Sequence, residues 1–225
     1  MEHIQLVVFD LAGTTIEDDG AVLRCLVKTA QTHNLPHSSE ELNALMGMNK
    51  REVFQLLAER ASGRDGIESE RVASEALATF VDCMRGIYDR TLRPMDGAED
   101  TFVFLRERGI KLAIDTGFDN TIAGMIMERL DWPGRLVDLL VCSSDVLRGR
   151  PAPYMIFRAM EQLDVLDVRR IIKIGDSPAD LEEGCNAGCG EVIGVLSGAH
   201  TAATLGPIPH TRLLGSVADL PALFC

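Results

Sequence analysis

The chain has 225 residues, of which 46% are apolar and 25% are charged, a balance typical of globular proteins that excludes a disordered chain. Its formal net charge of −12 opposes binding of the whole protein to nucleic acid or to anionic membranes, so an anionic substrate would need local positive groups. Its apolar runs are shorter than the roughly 18 residues of a membrane span and its start does not resemble a signal peptide, so we expect a cytoplasmic protein.

The first predicted element is a buried parallel strand over residues 4–9, which ends in a polar loop that begins with Asp10. Residues 18–92 then show helical periodicity and almost no strand signal. Between residues 67 and 90, for example, apolar side chains recur every three or four positions along one helix face. We therefore predict an all-helical module that interrupts the chain after its first strand.

Beyond residue 92, predicted strands alternate with predicted helices. The strands lie at 111–114, 137–141, 171–174 and 191–195, and the helices lie at 98–108, 119–130, 152–162, 178–187 and 217–224. This alternation is typical of an α/β fold with a Rossmann-like, doubly wound parallel sheet. We predict a core of residues 1–17 and 93–225 and an inserted helical cap of residues 18–92.

The cysteines are predicted to be free thiols, because they form no Cys-x-x-Cys pair and are scattered through apolar segments. They are Cys25, Cys83, Cys142, Cys185, Cys189 and Cys225.

Three of the predicted strands end in polar residues. Asp10 follows the first strand, Thr116 and Gly117 lie just beyond the second, and Asp176 follows the strand at 171–174. Ligands of open α/β sheets bind at the carboxyl ends of the strands, so these residues are candidates for one site. Each Asp alone would be equally typical of a helix N-cap.

The same residues resemble four motifs of the haloacid dehalogenase superfamily. The matching segments, in order, are Asp10-x-x-x-Thr14, Thr116-Gly117, Gly149-Arg150-Pro151 and Gly175-Asp176-x-x-x-Asp180. The resemblance covers nearly the whole chain. It implies a helical cap that closes over the site and Asp10 as the nucleophile that receives a phosphoryl group.

The resemblance also implies a Mg²⁺ ion as cofactor. The oxygen ligands would be Asp10, Asp176 and the carbonyl of Ala12, and Asp180 would orient metal-bound water. The residues predicted to bind the substrate are Ala12, Gly13, Met46, Thr116, Gly117 and Arg150, the last through its guanidinium on phosphoryl oxygens.

Most superfamily phosphatases have an acid two residues after the nucleophile, and this chain has Ala12 there. Together with Gly149-Arg150-Pro151, this resembles the phosphonoacetaldehyde hydrolase branch, in which a cap lysine forms a Schiff base with the aldehyde. Lys50 in Met46-Gly-Met-Asn-Lys50 matches that lysine. That branch carries a histidine three residues later, where this chain has Val53.

Lys50 is predicted to begin a helix that Asn49 caps. The helix dipole, burial and the charge of Arg150 would each lower the pKa of its amine. The alternative interpretation is an ordinary surface lysine.

Hydrolysis of the C–P bond of phosphonoacetaldehyde or a related 2-oxo-phosphonate is therefore the leading hypothesis, with a small phosphorylated or phosphonate compound as the substrate. A phosphatase acting on small phosphate monoesters and a catalytically idle binding protein on the same fold are the alternatives. A dehalogenase is disfavoured, since it would leave Asp176 and Asp180 without a role. We expect a monomer or a homodimer.

Overall fold

The computed structural model describes residues 1, 3–63 and 66–224, and within these ranges six strands form one parallel sheet. The strands are β1 (Leu6–Phe9), β2 (Lys111–Thr116), β3 (Leu139–Cys142), β4 (Ile171–Gly175), β5 (Glu191–Val195) and β6 (Arg212–Leu214). Their order across the sheet is β3-β2-β1-β4-β5-β6. The strand β1 is fully buried and pairs with β2 on one side and β4 on the other.

Successive side chains of β1 point to opposite faces of the sheet, and each face packs against apolar residues of the neighbouring helices. Val7 and Phe9 point into one apolar cluster, which contains Phe102 and Ile126, whereas Leu6 and Val8 point into a second cluster on the opposite face. The helices of this part are α5 (Ala98–Arg106), α6 (Asn120–Arg129), α7 (Tyr154–Gln162), α8 (Pro178–Ala187) and α9 (Ala202–Leu205). The predicted doubly wound α/β fold is confirmed.

The C-terminal region adds two details to the predicted elements. The helix expected at 217–224 is present as a 3₁₀ helix, and Pro221 inside it lacks the backbone N–H that an α-helix would use. The strand β6 was not predicted, because it is only three residues long and none of its residues is fully buried. Such a short edge strand carries too little alternation to stand out in the sequence.

Between β1 and α5 lie the helices α1 (Ala21–Thr32), α2 (Ser39–Ala44), α3 (Lys50–Ser62) and α4 (Ile67–Thr91). The helix α4 buries Ala73, Ala76, Phe80 and Met84, which follow the three-and-four spacing of one face, and it packs against α1 and α3. The division into a core and a cap at residues 18 and 92 stays a prediction. None of the described helices has the length and hydrophobicity needed to cross a membrane.

The prediction that all cysteines are free was wrong for one pair. Cys25 on α1 and Cys83 on α4 form a disulfide across the packed helices, with 5.8 Å between their Cα atoms. The two residues are 58 positions apart, so only the packing of α1 on α4 reveals their proximity. Cys142, Cys185 and Cys189 are free, and Cys225 lies outside the described residues.

Candidate active site

The carboxyl ends of three neighbouring strands bring the predicted site residues together. Phe9, the last residue of β1, lies beside Ile114 of β2 and Ile174 of β4. Asp10, Thr116 and Asp176 therefore emerge at the same edge of the sheet. The backbone N–H of Asp10 donates to the Ile174 carbonyl at 2.9 Å, which extends the parallel pairing up to the first polar residue.

A small cavity lies at this edge, beneath the segment that joins α2 to α3. Its walls include Asp10, Ala12, Met46, Lys50, Thr116, Gly117, Asp176 and Ser177. Most of the residues predicted from the sequence thus share one enclosed space, whereas Gly13, Arg150 and Asp180 lie behind its walls.

Asp10 and Asp176 form a buried acidic pair. Burial raises the pKa of Asp10 to about 6, although the Arg150 charge opposes this shift. Burial and the negative charges of Asp10 and Asp180 raise the pKa of Asp176 well above its ordinary value. Two carboxylates that repel each other in a closed space are stabilised by a bound cation.

The residues around Asp176 fit a hard metal ion. Its carboxylate accepts hydrogen bonds from the Ala199 N–H at 2.7 Å and from the Thr14 hydroxyl at 3.3 Å, and it has no ion pair with any residue that the structure describes. Gly13 has a φ of +86°, and a Cβ there would approach Oδ2 of Asp176 to 2.7 Å. The glycine therefore keeps the space beside this carboxylate open, and the oxygen donors present suit Mg²⁺.

Arg150 is completely buried behind Asp10. Its Nη1 lies 2.6 Å from Oδ1 of Asp10 and 2.8 Å from Oδ1 of Asp180, and its guanidinium also contacts Asp115 and Glu183. The guanidinium is bonded to the Asp10 carboxylate, and the expected role of Arg150 in holding phosphoryl oxygens stays a prediction. In this arrangement Arg150 fixes the orientation of the predicted nucleophile.

A second buried cation, Lys173 on β4, was missed by the sequence reasoning. Its amine contacts Asp115 and lies 3.1 Å from Asp180 and 3.2 Å from Glu183. Burial acts to lower the pKa of Lys173, but these carboxylates outweigh burial and raise it. A lysine inside an apolar strand is the sequence signal that could have indicated a buried ion network.

Three carboxylates of this network, from Asp10, Asp115 and Asp180, lie close enough together to suggest a metal site by geometry alone. However, Arg150 and Lys173 already occupy the positions between them. The ion pairs therefore account for this cluster without a metal, and a metal held by Asp10 and Asp176 stays a prediction. Asp180 also accepts the Ser177 N–H at 3.1 Å, so it caps α8 and does not line the cavity.

The loop before α3 packs directly on the end of β2. A Cβ on Gly117 would lie 2.5 Å from the Met48 carbonyl oxygen and 2.6 Å from that of Gly47. The Gly117 carbonyl in turn accepts the Lys50 N–H at 3.4 Å. Only glycine permits this approach, which positions Lys50 opposite Asp10.

Lys50 is the first residue of α3 and is only 4% exposed, so the alternative of a surface lysine was wrong. Its Nζ donates to the Met48 carbonyl at 2.9 Å. Burial, reinforced by the Arg150 charge, lowers the pKa of Lys50 to about 8 even though Asp10 and Asp18 oppose the shift. The predicted Asn49 cap is present, and its side chain accepts the Arg51 N–H at 2.9 Å. Val53 is buried in the apolar core.

Comparison with known proteins shows the family of the chain. Residues 4–188 match the family model of the haloacid dehalogenase-like hydrolases. The chain is 32% identical over 205 residues to a phosphonoacetaldehyde hydrolase of Bacillus cereus, a match that covers 87% of this chain and 77% of the relative. The corresponding protein of Bacillus mycoides is 33% identical with the same coverage.

Two solved structures share the fold over 98% of this chain with TM-scores of 0.82. One is a hydrolase from Pseudomonas syringae, which is 19% identical and is covered over 97% of its length. The other is a phosphonoacetaldehyde hydrolase-like protein from Oleispira antarctica, which is 21% identical and is covered over 91%. At these identities the likeness establishes the fold alone.

Proposed function

The chain belongs to the haloacid dehalogenase-like hydrolases, and we propose that it cleaves the C–P bond of phosphonoacetaldehyde or of a related 2-oxo-phosphonate. In this proposal Mg²⁺ is the cofactor, Asp10 receives the phosphoryl group and Lys50 forms a Schiff base with the carbonyl carbon. The names of the Bacillus relatives support the choice of substrate.

The observation that carries the proposal is the placement of Lys50. Its amine is buried on the wall of the same small cavity as Asp10, and its pKa is lowered to about 8. A neutral amine is the form that attacks a carbonyl, and a pKa near 8 makes that form available near neutral pH. Ala12 lies where a phosphatase would need a general acid for an alkoxide, whereas a carbon leaving group activated by an imine needs none.

The proposed reaction begins with the imine and ends with hydrolysis of an aspartyl-phosphate. The neutral Lys50 amine adds to the substrate carbonyl, and the adduct takes up one proton from solvent and loses water to leave an iminium ion. A carboxylate oxygen of Asp10 then attacks phosphorus, and the electron pair of the C–P bond moves into the iminium to give an enamine. Protonation of the enamine carbon and hydrolysis of the imine release the aldehyde or ketone and regenerate Lys50. A second water hydrolyses the aspartyl-phosphate to inorganic phosphate and free Asp10.

The other residues would hold the reactants in place. Asp10, Asp176 and the Ala12 carbonyl are the proposed metal ligands, and the ion would offset the repulsion between Asp10 and the anionic substrate. Thr116 and the Gly117 amide line the cavity and would donate to the phosphoryl oxygens. Arg150 would keep the Asp10 carboxylate aligned through their 2.6 Å ion pair.

One observation favours a second candidate, a phosphatase of small phosphate monoesters. Val53 fills the position of the histidine found in the phosphonoacetaldehyde hydrolase branch, and it is 1% exposed within the apolar core. A valine cannot shuttle protons to or from the imine. Turnover of an alkyl phosphate that is unaffected by Lys50→Ala would support this second candidate.

Borohydride trapping tests the proposal. The protein would be incubated with phosphonoacetaldehyde and Mg²⁺, reduced with borohydride, digested and analysed by mass spectrometry. We expect a stable adduct on the peptide that contains Lys50 together with release of inorganic phosphate. Lys28, an exposed lysine on α1, serves as the internal control for non-specific modification. Phosphate release without an adduct on Lys50, or adducts distributed equally over both lysines, would contradict the imine.

A further inference from the structure

A second and much larger cavity lies on the outer side of Lys50. It has a volume of about 870 Å³ and is bounded by α3, α4 and the loop that follows β3. Its wall includes Leu56 and Glu59 of α3, Leu77 of α4 and Leu147 of the loop. Nothing in the reaction proposed above uses this space.

This outer cleft meets the small cavity at two residues. Lys50 and Gly117 line both spaces, so they belong to the wall that the two cavities share, and the lysine proposed to form the imine is part of that wall. The small cavity contains Asp10 and Asp176 and would hold the phosphorus end of the substrate. A group attached to the far side of the carbonyl carbon would therefore point from Lys50 into the outer cleft.

The aldehyde of phosphonoacetaldehyde carries only a hydrogen atom on that far side and would leave the outer cleft empty. A ketone carries a carbon chain there instead. The leucines on the wall offer apolar surface to such a chain, since Leu147 is 88% exposed in the cleft mouth. The size of the outer cleft thus favours a ketone over an aldehyde.

The negative charge of the outer cleft limits which end group the carbon chain of the substrate can carry. Glu52, Glu59, Glu70 and Asp119 line the outer cleft, and no ion pair neutralises them in the part of the chain that the structure describes. Arg51 is the one arginine among the lining residues in that part of the chain. A carboxylate at the end of the chain would be repelled, whereas a neutral or cationic end would not.

We propose that the outer cleft binds the carbon chain of a 2-oxoalkylphosphonate whose end is neutral or positively charged. This inference rests on the proposed function, because it places the carbonyl carbon at Lys50. It narrows the substrate class from any 2-oxo-phosphonate to ketones that extend beyond Lys50 and carry no second anionic group.

The test compares phosphate release, in the presence of Mg²⁺, from phosphonoacetaldehyde and from three 2-oxoalkylphosphonates of equal chain length. The chains end in a methyl, a trimethylammonium or a carboxylate group. We expect kcat/KM for the methyl and trimethylammonium compounds to exceed that for the carboxylate compound by about tenfold or more, and to equal or exceed that for phosphonoacetaldehyde.

Two variants test whether the outer cleft causes the preference for the ketones. Leu147→Trp would narrow the mouth of the outer cleft, and Leu166→Trp alters a leucine that is 91% exposed outside it. We expect Leu147→Trp to lower the ratio of kcat/KM for the methyl ketone to that for phosphonoacetaldehyde by about tenfold. Leu166→Trp should leave this ratio unchanged.

The outcomes separate the two proposals. Turnover of phosphonoacetaldehyde with none of the ketones, or equal turnover of the three ketones with no effect of Leu147→Trp, would overturn the outer cleft as a binding site while the proposed function stands. No phosphate release from any of the four compounds would overturn both. A strong preference for the carboxylate compound would overturn the charge argument and with it the inference.

Discussion

Lys50 and Lys173 are both buried, yet their surroundings drive their amines in opposite directions. Lys173, beneath the site, faces the carboxylates of Asp115, Asp180 and Glu183, which raise its pKa despite burial. Lys50, at the boundary between the helical region and the sheet, has a carbonyl oxygen as its nearest partner, and burial lowers its pKa to about 8. Burial alone therefore does not make a lysine reactive, because the local balance of charge decides.

The two lysines also differ in what they can do for the protein. Lys173 is part of a network that holds Arg150, and through it Asp10, in one orientation. Its loss should affect stability first. Lys50 makes few polar contacts and lies on the cavity wall, so its loss should affect chemistry first.

The largest effect is expected from replacing Lys50 with arginine, which keeps a positive charge but removes the amine that forms an imine. Turnover of phosphonoacetaldehyde should fall by about 10⁴-fold or more, equivalent to about 5.5 kcal/mol in activation free energy. Steady-state kinetics with Lys28→Arg as the control would measure this. Activity of Lys50→Arg within tenfold of the unchanged protein would contradict the chemical role of Lys50 and its distinction from Lys173.

Replacing Lys173 with methionine should instead destabilise the fold. The change leaves Asp115 and Glu183 buried with one cation fewer, and removal of one partner from a buried ion pair costs about 3–5 kcal/mol. Urea unfolding of Lys173→Met would measure the loss, and Lys28→Met, at an exposed position, should stay within about 0.5 kcal/mol. A Lys173→Met protein as stable as the unchanged one would show that the network does not depend on this amine.

The rate of borohydride trapping should increase with pH, because it depends on the neutral form of the Lys50 amine. The pKa of its amine is lowered to about 8, so the reactive neutral form is scarce at pH 6 and grows as the pH rises. Initial trapping rates should increase by about fiftyfold between pH 6 and pH 8, and then level off above pH 9. Rates that keep rising tenfold per pH unit up to pH 10 would indicate a lysine with an ordinary pKa.

A smaller effect, on stability, is expected from Gly117→Ala, at the point where the segment that joins α2 to α3 packs on the end of β2. A methyl group on Gly117 would press on the Met48 and Gly47 carbonyls, at a cost of about 1–3 kcal/mol of stability. Gly124→Ala is the matched control, because nothing lies within 4 Å of a Cβ there and alanine favours α6. A melting temperature of Gly117→Ala at or above that of Gly124→Ala would contradict the tight contact between this segment and β2.

Much of the fold could be predicted from the sequence, because buried strands such as residues 191–195 stand out as apolar runs between helical segments. The site residues on strand ends were equally accessible, since parallel strands bring Asp10, Thr116 and Asp176 to one edge without further information. The three-residue strand β6 leaves little periodic signal, and the helix predicted at 217–224 did not reveal its 3₁₀ form.

Other features depend on distances between segments that are remote in the sequence. The disulfide between Cys25 and Cys83 exists because α1 packs on α4. The ion pairs of Arg150 require the ends of β1, β2 and α8 to meet around one guanidinium, which no motif spacing specifies. Nothing in the sequence therefore indicated that Arg150 forms ion pairs behind Asp10, while its expected contact with the substrate stays a prediction.

The most direct test of the contrast between the two lysines is an NMR titration of the lysine side chains, with Lys50→Arg and Lys173→Arg used to assign the two buried resonances. We predict that the Lys50 amine titrates near pH 8 and that the Lys173 amine stays protonated at every pH at which the protein remains folded. Titration of Lys50 above pH 10 would contradict the account, because its amine would then be charged under the conditions in which the imine must form.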